Sequence, residues 1–198
     1  QNDSLNNIYS GAVVSMEGGL EYRIDIRALK DAKIAGQLFS TYILLEAGDK
    51  VVLLDQHAAH ERVMFEKIKA SFSQQNIELQ ELLQPIVVDY TYREVAIIRE
   101  NEDFLRNLGF VVEYFGSNSV IIRTVPYYGE NRDSKKIFMD VVDYISDNED
   151  AQTEKLISET LYKIACTGAI KANHMLADEE IRALLNELSS TENPFNCP

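Results

Sequence analysis

The sequence predicts an α+β fold: a strand-and-helix unit over residues 34–88 and 151–198, interrupted by an inserted helix, hairpin, helix unit over 89–150. Three observations carry this expectation. A hairpin of apolar strands runs straight into a helical pattern at Asp55-Gln56, and a second hairpin around Gly116 lies between two helical patterns. Helical periodicity then resumes after the acidic run Asp147-Asn148-Glu149-Asp150, which reads as a solvated connection and a boundary. With 45% hydrophobic residues in 198, the chain has the material for a core.

Residues 1–33 scatter Asn, Ser and Gly without strand or helix periodicity and read as the remainder of a linker. From Ile34 the pattern through Gly36 to Leu44 is strand-like. Tyr42 to Glu46, a turn at Ala47-Gly48-Asp49-Lys50, and Val51 to Leu54 form a hairpin whose second strand is apolar on both faces. Asp55 ends that strand and is placed to cap the next helix, whose first N–H groups favour an acidic acceptor. With a start at Gln56, steps of about 100° per residue align Ala58, Glu61, Phe65, Ile68 and Phe72 on one core-facing stripe, and the helix closes near Gln75-Asn76.

Leu79 to Val88 reads as extended, since Pro85 disfavours a helical Gln84 and the valines favour a strand; Pro85 argues for an edge. Tyr92 to Leu108 suits a helix closed by Gly109. Phe110 to Phe115 and Val120 to Val125 form strands about a Gly116-Ser119 turn, and Pro126 ends the second. Lys135 to Ile145 is helical with Ile137, Val141 and Ile145 aligned. A helix through Leu156, Leu161 and Ile164 reaches Ala165-Cys166, and the last starts near Asp178-Glu179-Glu180 and buries Ile181, Leu184, Leu185 and Leu188.

The chemistry concentrates at the start of the first helix. Glu61 interrupts an apolar stripe, where a carboxylate is costly unless paired, hydrogen-bonded or metal-bound. His57 lies four residues earlier on the same side, while Glu66 falls on the opposite side. Spacing alone fits two readings: a functional His57–Glu61 pair, or a capped helix whose Glu reaches its rim. The order His-x-x-His-Glu is not the zinc-protease order, so that mechanism is not supported. In Gln80-Glu81-Leu82-Leu83-Gln84-Pro85, an exposed Gln amide and a Leu side chain can dock as a peptide, though an ordinary edge strand has the same pattern. Cys166 and Cys197 belong to no Cys-x-x-Cys pair; as zinc ligands they would be assembled from distant parts of the chain.

The net charge of −13 repels a phosphate backbone and disfavours strong autonomous DNA binding. No apolar run approaches the ~20 residues of a membrane span, and no basic-then-apolar leader opens the chain, so a cytoplasmic protein is expected. A Gly-rich phosphate loop is also missing from the sequence.

Three stretches together resemble the C-terminal domain of the MutL family of DNA mismatch repair proteins. Asp55-Gln56-His57-Ala58-x-x-Glu61-x-x-x-x-Glu66 matches that family's endonuclease signature at every fixed position. Ala165-Cys166 with Ile170-Lys171-Ala172 is similar to its second motif, and Pro194-Phe195-x-Cys197-Pro198 to the start of its third. Thr167 stands where a basic residue commonly follows the second-motif Cys. The resemblance implies a homodimer that nicks newly made DNA at a zinc-binding site. It assigns Asp55, His57 and Glu61 to catalysis, and His57, Glu61, Cys166 and Cys197 to the metal. Mixed N, O and S ligation suits zinc, while oxygen ligands suit manganese or magnesium for cleavage. Gln80, Leu82, Leu83 and Pro85 are similar to the family's segment for the replication sliding clamp, which would hold this acidic domain on DNA. An ATPase region before residue 1, and the mismatch recognition protein MutS acting through the full-length protein, are further implications. The alternative is a dimerisation and clamp-docking module whose zinc is structural or regulatory and which does not cut.

Overall fold

The computed structural model describes residues 29–127, 133–148, 153–168, 175–191 and 194. In chain order the elements are β1 (Lys33–Leu38), β2 (Tyr42–Ala47), β3 (Lys50–Asp55), α1 (Gln56–Ser73), β4 (Leu79–Asp89), α2 (Tyr92–Glu100), α3 (Glu102–Asn107), β5 (Val111–Phe115), β6 (Ser119–Pro126), α4 (Ser134–Asp147), α5 (Thr153–Gly168) and α6 (Asp178–Leu188). Helices and antiparallel sheets are segregated, as in an α+β protein. The chain divides into two compact units, one from the described residues within Gln1–Glu66 and Ala169–Pro198, the other Lys67–Gly168. No helix among the described residues is long and apolar enough to cross a membrane.

The first unit is a three-stranded antiparallel sheet in the order β1-β2-β3. Alternation sends Ile43, Leu45 and Val52 to one face, where they pack with Ala59 and Val63 of α1 and with Ile181, Leu184, Leu185 and Leu188 of α6. Each such aliphatic side chain contributes about 1.5–3 kcal/mol on burial. Residues expected as linker contribute too, since Leu29 and Ala32 belong to this core. The strand pattern from Gly36 to Leu44 is not one strand. A reverse turn at Leu38–Thr41, closed by the Thr41 N–H donating to the Leu38 carbonyl at 3.0 Å, separates β1 from β2. Phe39 and Ser40 at its centre take φ of 56° and 51°. With neither Gly nor Asn there, the sequence carries no turn signal.

Helix α1 is buried on more than one side. Ala59 and Val63 enter the first core, whereas Glu61, Phe65 and Ile68, also buried, lie about 200° around the axis from Ala59 and its row. The predicted stripe captured the second set only, and its members Ala58 and Phe72 are half-buried.

The second unit holds a sheet of order β4-β6-β5, with β4 at an edge as Pro85 requires. Residues 79–88, grouped with the first unit from sequence, form β4 and hydrogen-bond to β6 from Leu79↔Pro126 to Asp89↔Ser119. α5, grouped the same way, packs beside α4. The core includes Ile122, Val120 and Val125, and an edge-to-face pair of Phe110 and Phe138 with centroids 5.2 Å apart. Ile137, Val141 and Ile145 of α4 are buried together, as their spacing predicts. The helix expected over Tyr92–Leu108 is broken at Asn101, whose φ of −108° and side-chain bond to the Ile97 carbonyl (2.9 Å) end α2. Gly109 follows at φ 93°, and a Cβ there would sit 2.9 Å from Pro126 Cβ.

Candidate functional site at the strand-to-helix junction

The functional residues of the first unit gather where β3 becomes α1. Asp55 pairs with Tyr42 across the sheet and is the last strand residue. Its Oδ1 accepts from the backbone N–H of His57 (2.8 Å) and of Ala58 (3.0 Å), satisfying two donors that a helix start leaves open. Both cap bonds fall on Oδ1, so Oδ2 lies outside the cap. The next donor, Gln56 N–H, reaches the Thr41 carbonyl at 2.9 Å, which ties the β1–β2 turn to the same junction.

One turn on, His57 Nε2 and Glu61 Oε1 are 3.1 Å apart. The histidine side chain is 41% exposed and the glutamate side chain 10%, so the pair opens outward through its imidazole. Two ligands of a tetrahedral zinc with bonds of ~2.0–2.1 Å lie roughly 3.3 Å apart. The separation therefore fits shared ligation as well as a hydrogen bond. Glu66 stays away from the pair, as the helical wheel predicts, and meets Arg62 at 3.2 Å. Arg62 is 6% exposed and also lies over the Phe65 ring at 5.5 Å, so Glu66 serves to balance a buried guanidinium.

The sequence pattern alone assigns His60 no role. Its Nδ1 lies 2.7 Å from the Gln56 carbonyl, which can only accept, so Nδ1 carries the proton and the lone pair is on Nε2. Burial holds its pKa below the ordinary value, while the Gln56 carbonyl and the carboxylates of Glu187 and Glu180 on α6 act to raise it. Another unanticipated contact is Gln37 on β1. Its amide donates to the Leu176 carbonyl (2.7 Å) and accepts from the Leu176 N–H (2.9 Å), pairing like a strand with the segment that enters α6. Arg182 adds bonds from α6 to the carbonyls of Lys30 and Ala32.

The first unit thus brings Asp55, His57 and Glu61 together. Cys166 lies in the second unit on α5, half-buried and outside any disulfide. Thr167 beside it donates to Asp140 Oδ2 at 2.8 Å. Cys197, with Ile170-Lys171-Ala172 and Phe195, lies outside the described residues. Among the described residues, no three or more His, Cys, Asp or Glu side chains group as metal ligands.

On β4 the docking segment departs from its ladder. Gln80 pairs with Val125 and Glu81 with Thr124, but the next pair is Ile86 with Ile122. Leu82, Leu83, Gln84 and Pro85 therefore stand out as a bulge on an edge strand, with Leu83 fully exposed at 106%.

Fold and junction define a mixed α+β domain in which a sheet delivers a capped helix bearing an imidazole–carboxylate pair. A family profile described as the MutL C terminal dimerisation domain matches residues 35–176. The chain is 37% identical over 172 residues to the DNA mismatch repair protein MutL of Thermoanaerobacter pseudethanolicus, covering 87% of this chain and 28% of that protein. It is 35% identical over 174 residues to MutL of Caldanaerobacter subterraneus subsp. tengcongensis (88% and 29%), and 36% identical over 168 residues to MutL of Clostridium botulinum strain Loch Maree (85% and 25%). The chain belongs to the MutL C-terminal dimerisation domain family. It spans 25–29% of the length of these relatives.

Proposed function

We propose that this domain is the metal-dependent DNA-nicking module of a homodimeric mismatch repair protein. The observation that carries this reading is the junction itself: a capping Asp55 with Oδ2 outside the cap, one helical turn from a His57–Glu61 pair at ligand spacing. A buried carboxylate on a half-exposed imidazole is costly as decoration and useful as a ligand set. His57 Nε2 and Glu61 Oε1 would hold zinc, with Cys166 and Cys197 as its thiolates, and manganese or magnesium would serve cleavage through Asp55 and Glu61. When bound, a divalent ion supplies an activated water and neutralises charge on the phosphate. Asp55 would accept a proton from the attacking water through Oδ2, while its Oδ1 keeps the helix start in place.

The Leu82–Pro85 bulge supports docking to the sliding clamp. A bulged edge presents Leu83 to an apolar pocket and the exposed Gln80 amide to polar partners. A clamp already on DNA would raise the local DNA concentration for a domain of net charge −13, which gains little from phosphate contacts of its own. Coupling to MutS would run through the full-length protein. Nicking of supercoiled plasmid in manganese tests the reading: Glu61→Gln and His57→Ala are expected to lose it. Nicking by the unmodified chain no greater than by the two variants or by a protein-free control would leave the alternative, a dimerisation and clamp-docking module that does not cut.

A further inference from the structure

The β1–β2 turn combines two features that a purely structural turn has no reason to combine. Phe39 has φ 56°, a conformation that bulky L residues rarely adopt, and its side chain is 86% exposed. Gly or Asn would relieve the backbone, and a polar residue would suit the solvent better. Leu38 beside it is also exposed, at 42%. The turn is held firmly nonetheless. Thr41 Oγ1 donates to the Phe39 carbonyl at 3.0 Å, Thr41 N–H donates to the Leu38 carbonyl, and the Thr41 carbonyl accepts from Gln56 N–H at the start of α1.

Those bonds tie the backbone of the turn to the junction. Tyr42 lies opposite Asp55, and Phe39 is three residues before Tyr42. Leu38 pairs with Tyr42 as Tyr42 pairs with Asp55, so Phe39, the next residue in the turn, stands at the same end of the sheet as Asp55.

We propose that Phe39 is a base-stacking wedge that positions the DNA strand at the Asp55–His57–Glu61 junction, an assignment that rests on the endonuclease reading above. The chemistry favours a base over a phosphate as its target. A chain of net charge −13 is repelled by the phosphate backbone, whereas stacking of an aromatic ring on a base needs no charge and tolerates any sequence. An apolar wedge between base steps also unstacks and bends a duplex, which exposes the backbone to a neighbouring site.

The chain contains no tryptophan, so Phe39→Trp supplies a single reporter indole at the turn. Its emission is expected to be quenched as the protein is titrated, at ~0.15 M salt where repulsion between like charges is screened within about 8 Å, with a duplex oligonucleotide carrying a short single-stranded gap. Manganese-dependent plasmid nicking is expected to fall roughly 10-fold in Phe39→Ala, the scale of one lost stacking contact, and to be restored toward the unmodified rate when the ring is replaced by the other aromatic in Phe39→Trp. Emission indifferent to DNA, or unaltered nicking by Phe39→Ala, would overturn the assignment. So would emission that changes with protein concentration in the absence of DNA, because the ring would then be covered by a second copy of the chain. Quenching by DNA in a protein that nicks under no metal condition would uphold the stacking contact and refute the endonuclease reading alone.

Discussion

Asp55 performs a structural task that can be separated from a chemical one by two substitutions. Asp55→Ala removes the acceptor of two cap bonds, at 2.8 and 3.0 Å, at a cost of about 1 kcal/mol, and removes a negative charge from a helix N-terminus for about another 0.3–1 kcal/mol. For a chain of this size, a loss of about 2 kcal/mol lowers Tm by about 4–8 °C. Asp55→Asn keeps an oxygen in the capping position and forfeits only the charge, so its Tm is expected to fall by about 1–4 °C. Nicking should sort the other way from stability. Both variants are expected to lose about 100-fold or more in plasmid nicking rate, because neither a methyl group nor a neutral amide accepts a proton from water or matches a carboxylate as a ligand for a hard cation. Thermal melts and manganese-dependent nicking on the same preparations provide the comparison. Nicking by Asp55→Asn within a few-fold of the unmodified chain would reduce Asp55 to a helix cap and refute its chemical role.

Gln80→Ala combined with Leu83→Ala should lower clamp affinity about 10-fold, read by clamp-stimulated nicking, while stability stays within about 0.5 kcal/mol because Leu83 makes no buried contact. Gly109→Ala is expected to destabilise the second unit by about 2–4 kcal/mol in denaturant titration, since its φ of 93° disfavours any Cβ and the new atom would meet Pro126 at 2.9 Å. Gly48→Ala, at φ 66° with nothing within 4 Å, should cost only about 1 kcal/mol. Acid titration should expose the α2 cap. The Thr91 N–H (2.6 Å) and then the Thr91 hydroxyl bond hold the Glu94 carboxyl below its usual pKa of 4.5. This stabilisation is therefore complete above pH 4.5 and disappears as pH falls through the lower folded value. The stability difference between the unmodified chain and Glu94→Gln should narrow over that range, measured by denaturant titration at successive pH values.

What could be read from sequence was local and periodic. The β2–β3 hairpin, the Asp55 cap, the pairing of His57 with Glu61 and the exclusion of Glu66 all follow from 2.0- and 3.6-residue periods and from the needs of a helix start. What escaped depends on partners distant in the chain or on residues doing unusual work. The Gln37 amide meets the Leu176 backbone across 139 positions, and β4 finds β6 through a bulge that local alternation does not encode. The Phe39-Ser40 turn is formed by residues that ordinarily avoid positive φ, and α1 is buried on two sides where one stripe was expected. The thiolate half of the metal assignment is divided between Cys166 in the second unit and Cys197 outside the described residues, so it rests on motif resemblance.

The central claim is that the β3–α1 junction is a metal site. Anomalous scattering at the zinc edge, from crystals of the protein grown with zinc, locates the ion directly. A peak is expected within about 2.0–2.2 Å of both His57 Nε2 and Glu61 Oε1, with sulfur among the remaining ligands. Zinc bound elsewhere, or no peak while His57 and Glu61 remain hydrogen-bonded to each other at 3.1 Å, would contradict it.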